Sequence, residues 1–151
     1  MTTSEQHRRV LIVDDDENVR AILATALRQK ALHVEQASDG REAIELLREN
    51  SYAVVLLDLM MPHIDGLGVL DAIQSDLPHP PVVLVVTGAS RQLIEQVDTQ
   101  RIHGIVRKPF DPLEVASIVA ACADVRARGA FETMAMATMV SGGALITWLR
   151  W

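Results

Sequence analysis

Cysteine is nearly absent: Cys122 is the only one among 151 residues. A single thiol excludes a disulfide framework and a thiolate metal cluster. Aromatic residues make up 3% of the chain, too few to stack on the bases of a single strand. Lys and Arg number 14 against 20 Asp and Glu, a net charge of −6. That sign lacks the basic footprint of a nucleic-acid surface, so no nucleic-acid partner is expected. No Gly-rich phosphate loop of the dinucleotide or Walker type occurs. Residues 1–9 carry no apolar signal-peptide core, from which a cytoplasmic location is expected. His7, His33, His63, His79 and His103 show no ligand spacing and are read as solvated or loop residues.

What the chain does have is a series of short apolar runs, each ending on a polar group. Val10–Val13 runs into Asp14-Asp15-Asp16, and Ala53–Leu57 stops at Asp58. Val82–Val86 stops at Thr87, and the run 102–106 at Arg107-Lys108-Pro109. Apart from His103 and Gly104 in the last of them, these are β-branched and leucine runs that read as strands buried on both faces, the kind found in parallel sheets covered by helices. A weaker strand is expected near residues 32–37. Between the runs, apolar residues recur at helical spacing: Val19, Ile22, Leu23, Ala26 and Leu27; Ala43, Ile44, Leu46 and Leu47; Val69, Leu70 and Ile73. A short helix over about 91–99 and a final one from Pro112 follow. Asp15 or Asp16, the Ser38-Asp39-Gly40 stretch, Asp65 and Asp111 suit helix starts. Strand and helix thus alternate five times, and right-handed crossovers give an α/β fold: a five-stranded parallel sheet with helices on both faces.

In such sheets the working groups gather beyond the C-terminal strand ends. Those ends bring three carboxylates (Asp14, Asp15 and Asp58), the Thr87 hydroxyl and the Lys108 ammonium to one crevice. Clustered carboxylates repel. A hard divalent cation with oxygen ligands resolves the repulsion, and Mg²⁺ suits a few carboxylates plus waters. An aspartate beside such an ion is a nucleophile for phosphorus, while Lys108 and Thr87 can meet the phosphoryl oxygens.

Val13-Asp14-Asp15, Asp58-Leu59-Met60-Met61-Pro62, Thr87-Gly88-Ala89 and Lys108-Pro109-Phe110, each at the end of its own strand, together resemble the two-component response regulator receiver domain. The single-domain, chemotaxis-regulator-like type is the nearest in form, and the resemblance covers about residues 9–126. It implies a flavodoxin-like doubly wound sheet of order 2-1-3-4-5 and a cis Lys108–Pro109 peptide. It also implies that Asp58 takes a phosphoryl group from a histidine kinase or phosphotransfer protein in a phosphorelay and then switches binding to a downstream protein. Mg²⁺ would be held by Asp14, Asp15, Asp58 and the Met60 backbone carbonyl, with Thr87 and Lys108 meeting the phosphoryl group. The domain is expected over 9–128, after a flexible lead-in at 1–8. Where the family usually carries Tyr, Phe or His there is Ile105, so the Thr87 shift is expected to be read by another route than an aromatic switch. Met60 and Met61 are expected to pack within their loop. The chain is expected not to be an enzyme: aspartyl-nucleophile phosphatases place a second aspartate where Met60 stands. The alternatives are such a phosphatase, or a receiver-fold interaction module that works without phosphorylation.

Residues 129–151 form an apolar extension that holds both tryptophans, with Glu132 and Arg150 its only charges. It is expected to be helical, and to pack on its own domain or on a second copy as a homodimer. Membrane-surface contact through Trp148-Leu149-Arg150-Trp151 and Met-rich contact with another protein are weaker expectations.

Overall fold

The apolar runs pair side by side because each can satisfy its backbone only against another strand. In the computed structural model, which describes residues 2–127, 140–141 and 144–148, they form β1 (Arg9–Val13), β2 (His33–Ala37), β3 (Val54–Leu57), β4 (Val82–Thr87) and β5 (Gly104–Arg107). These five are parallel and lie in the order β2-β1-β3-β4-β5. Their register is level at the C-terminal end: Val13 faces Leu57, Leu57 faces Val85, and Val85 faces Ile105. That alignment, rather than any one strand, decides which polar ends meet.

Successive residues point to opposite faces of a strand, and the core divides accordingly. Val10, Ile12, Val54, Leu56, Leu84 and Val106 pack with α2 (Glu17–Gln29) and α6 (Pro112–Ala127). Leu11, Val13, Val55, Leu57, Val85 and Ile105 pack on the other side, against α3 (Gly40–Glu49) and α4 (Gly66–Asp76). Each buried side chain of this kind contributes about 1.5–3 kcal/mol over its exposed state.

The helix starts follow local chemistry. The Asp16 side chain accepts from Asn18 and Val19 N–H, Asp39 from Glu42, Asp65 from Gly68, and Asp111 from Leu113 and Glu114. Asp16 is therefore the α2 cap, which leaves Asp14 and Asp15 free of that task. The helix after β4, α5, spans only Arg91–Glu95. It is shorter than the expected 91–99: the Gln96 and Val97 N–H groups donate three residues back, to the Leu93 and Ile94 carbonyls, a tighter turn that does not continue the α-helix.

One expectation gives way near the C-terminal end. The lead-in carries a helical turn, α1 (Thr3–Gln6). Arg8 ties it down, donating to the Lys30 and Ala31 carbonyls and to Asp124. In the extension, 140–141 and 144–148 are not helical: they are β6 (Val140–Ser141) and β7 (Ala144–Trp148). β7 pairs antiparallel with β5, Gly104 opposite Trp148 and Val106 opposite Ile146, and β6 pairs with β7. An open strand edge offers unpaired backbone groups that a helix cannot satisfy. Val140, Ile146 and Thr147 are β-branched and Trp148 is aromatic, types that fit a pleated surface once an edge is available. The other extension residues, and with them the dimer and membrane expectations, lie outside the described residues.

His103 departs from the expectation of a solvated residue. Its ring Nδ1 accepts from the Val83 N–H at 2.9 Å while its backbone N–H donates to the Val83 carbonyl at 2.8 Å. Burial, aided by the Arg126 charge, pulls the imidazole down to about 4 from 6.5. A depressed pKa gives stability that is present above about 6.5 and lost as pH falls through about 4. Allowing for its partial exposure, that loss is about 2 kcal/mol. In His103→Gln, whose amide oxygen accepts at any pH, urea unfolding at pH 7 and pH 4.5 should differ by about 2 kcal/mol less than in wild type. An unchanged difference would remove His103 from the acid response.

Candidate functional site

The level strand ends place Asp14 one residue beyond β1 and Asp58 one beyond β3, with Thr87 the last residue of β4 and Lys108 one beyond β5. Asp14 is 2% exposed, Asp58 5% and Thr87 0%, the only buried polar or charged residues among those described. Asp15 is exposed at the rim. Carboxylate oxygens of Asp14, Asp15 and Asp58 lie within 4.8 Å of one another.

Both oxygens of Asp58 are held. Oδ1 accepts from the Thr87 hydroxyl at 3.0 Å and from the Met60 N–H at 3.1 Å. Oδ2 accepts from Lys108 Nζ at 3.2 Å, and the same ammonium reaches Asp14 Oδ2 at 2.7 Å. Asp14 Oδ1 accepts from the Asp16 N–H at 2.9 Å. The Thr87 hydroxyl oxygen in turn accepts from the Ala89 N–H at 3.1 Å, which aims its proton at Asp58. The Asp58 backbone is fixed by its N–H bond to the Val13 carbonyl at 2.9 Å. The Lys108–Pro109 peptide is cis.

Burial raises the Asp14 carboxyl above its usual range, with the Lys108 hydrogen bond pulling the other way. For Lys108, burial alone would lower the ammonium. The Asp14 hydrogen bond and the nearby Asp58 charge outweigh it, and the net shift is upward. The lysine is therefore charged throughout the neutral range, as a bridge between two carboxylates must be. Three carboxylates against one ammonium leave two negative charges in the crevice. A divalent cation cancels them, and an all-oxygen donor set suits a hard ion such as Mg²⁺. The residues present thus fit such an ion.

The structure brings all five side chains of the sequence reading into one crevice. It adds donors that no side-chain pattern signals: the Met60 and Ala89 N–H groups. Arg20, whose guanidinium holds the Asp14 carbonyl at 2.8 Å, could have been suspected only from its position one turn into α2. The expectation for Met60 and Met61 divides. Met61 is buried, but the Met60 side chain is 57% exposed, because Met60 turns its backbone inward toward Asp58.

A sequence profile of the response regulator receiver domain matches residues 10–120. Among curated relatives, the transcriptional regulatory protein SrrA of Staphylococcus aureus is 38% identical over 106 residues, 70% of this chain and 44% of that protein. The chain thus spans under half the length of that relative. Among solved structures, a CheY-like receiver domain of Methanospirillum hungatei superposes with a TM-score of 0.69 at 28% identity, covering 80% of this chain and 97% of that one. The signal receiver domain of a response regulator from Bermanella marisrubri gives 0.69 at 31% identity, covering 76% and 97%. The response regulator TrrA of Thermotoga maritima, in complex with Mg(2+)-BeF, gives 0.68 at 27% identity, covering 76% and 98%.

Proposed function

Because this chain belongs to the response regulator receiver domain family, we propose that Asp58 is its phosphoacceptor and that a histidine kinase or phosphotransfer protein is its donor. The observation that carries this reading is the buried Asp58 carboxylate, held at once by Thr87, Lys108 and the Met60 N–H. A carboxylate oxygen held in place and flanked by cationic and hydroxyl donors is positioned for in-line attack on phosphorus. The oxygen–phosphorus bond forms as the bond to the donor breaks, and the donor leaves with that electron pair. Charge on the transferring oxygens then meets the Thr87 proton and the Lys108 ammonium, both preset at the site.

Asp14, Asp15, Asp58 and the Met60 carbonyl would hold Mg²⁺, which supplies charge neutralisation for the incoming phosphoryl group. Asp14 and Asp58 also anchor Lys108, so one ammonium serves both carboxylates. The residue two after Asp58 is Met60, with no acid to protonate a leaving group or activate water. That favours a lasting acyl phosphate, and a switch over an enzyme. No helix among the described residues is long and apolar enough to cross a membrane.

The test is acetyl phosphate or beryllofluoride with Mg²⁺, followed by intact mass and by amide chemical shifts. Wild type should gain one phosphoryl group and shift around Thr87 and Lys108, and Asp58→Asn should do neither. Equal responses in both proteins would sink the assignment.

A further inference from the structure

The strand that delivers Lys108 to the site is also the strand that carries the C-terminal hairpin. On its inner side β5 pairs with β4 over its whole length, Leu84 opposite Gly104 through Thr87 opposite Arg107. On its outer side Gly104, Ile105 and Val106 pair with Trp148, Thr147 and Ile146 of β7. β5 has four residues, so three of the four are shared between the site-bearing half of the sheet and the hairpin. Directly beyond them, the Lys108 N–H donates to the Thr87 carbonyl at 3.1 Å and the Arg107 guanidinium to the Ala89 carbonyl at 3.4 Å. Thr87 and Lys108, the two residues whose side chains hold Asp58, are therefore tied to each other and to β5 through the backbone.

We infer that the outer edge of β5 is a strand-acceptor surface whose occupant is the chain's own hairpin β6–β7, and that its hold on that edge depends on whether Asp58 carries a phosphoryl group. The inference rests on the phosphoacceptor role proposed for Asp58. In the free state the Lys108 ammonium is shared between Asp14 and Asp58, and the Thr87 hydroxyl lies on Asp58 Oδ1. A phosphoryl group moves the acceptors for both donors outward from β3. Both donors sit at the ends of neighbouring strands, and following the new oxygens shifts the ends of β4 and β5 together.

β4 and β5 carry buried side chains on both faces of the sheet, Val86 and Val106 on one and Val85 and Ile105 on the other. The hairpin is held by three register pairs to β5 and two within itself. Short peripheral pairings are the first to open when a sheet is strained. The shift is therefore relieved at the β5–β7 pairing, and the hairpin leaves. Linkage makes the effect reciprocal: loss of the hairpin strengthens binding of the phosphoryl group or its mimic by the same factor.

The experiment is hydrogen exchange on the full chain, with and without beryllofluoride and Mg²⁺, in wild type and Asp58→Asn. Amides of 144–148 should be protected in the free wild type and exchange about tenfold faster with the mimic, with no change in Asp58→Asn. In the full-length Thr147→Pro variant, which removes one backbone N–H from β7, the mimic should bind about tenfold tighter. Unprotected 144–148 amides in the free protein would show the edge vacant and overturn the inference. A response at 86–89 and 104–108 without one at 144–148 would overturn the coupling while leaving Asp58 as acceptor. No response anywhere in wild type would remove the acceptor role and the coupling with it.

Discussion

Lys108→Met is expected to lower the stability of the metal-free protein by about 2–3 kcal/mol, and Mg²⁺ is expected to restore most of it. The ammonium lies 2.7 Å from Asp14 and 3.2 Å from Asp58, which are 2% and 5% exposed. Removing one partner of a buried ion pair leaves charge without compensation and costs about 3–5 kcal/mol. Lys108 itself keeps 23% of its side chain in solvent, so the lower figure applies. The variant should melt roughly 5–10 °C below wild type in a chelator. A divalent cation bound by the same carboxylates would offset their charge, so the gap should narrow on adding Mg²⁺, more for the variant than for wild type. The gap should also shrink as pH falls into the carboxylate range. Burial raises Asp14, and without Lys108 to oppose it the group rises further. A raised folded pKa favours the fold at low pH and is lost as pH climbs through it. Melting curves in chelator and in Mg²⁺ at two pH values test this. Equal melting of the two proteins in chelator would mean that the bridge adds nothing. Transfer from acetyl phosphate should fall on the order of a hundredfold, since a donor facing the developing charge is gone.

Gly66→Ala should be strongly damaging for so small a change, at about 3 kcal/mol. A Cβ there would sit 2.5 Å from the Asp58 carbonyl oxygen and 2.7 Å from the Leu59 Cα. Both are backbone atoms and cannot turn away. The start of α4 must lean directly on the chain leaving β3, and the Gly66 N–H bond to the Leu59 carbonyl at 3.3 Å records that contact. Overpacking at such a point moves the backbone. Here that backbone carries Asp58, so beryllofluoride binding should weaken together with stability. Gly68→Ala is the control. Its Cβ would meet only the Ile64 Cγ2 closely, at 2.7 Å, the end of a side chain that reaches solvent. Alanine also favours the helix by about 1 kcal/mol. Chemical unfolding of both variants should show a large loss for the first and little or none for the second. Similar losses would mean that helix propensity, not the close approach, governs α4.

Why the site was legible while other features were not follows from where each signal lies. Asp14, Asp58, Thr87 and Lys108 each end an apolar run, and a strand buried on both faces must be such a run. The polar residue that stops it therefore marks the strand end. His103 gave no such signal. A histidine in a loop looks alike whether its ring meets water or, as here, the Val83 N–H. Nor was the extension legible as strands. Its apolar content is compatible with either structure, and the edge of β5 that favours pairing is made by residues far away in sequence, Gly104 to Val106.

By itself the sequence determined the five parallel strands, the alternate-residue core and the polar residue at each strand end, because these follow from local pattern and chain connectivity. The tertiary structure alone decided the level register that unites those ends and the 2.7 Å bridge from Lys108 to Asp14. It also decided that β5 would be flanked by a hairpin. These depend on which backbone groups are left without partners once the sheet has formed, and no window of sequence contains that information.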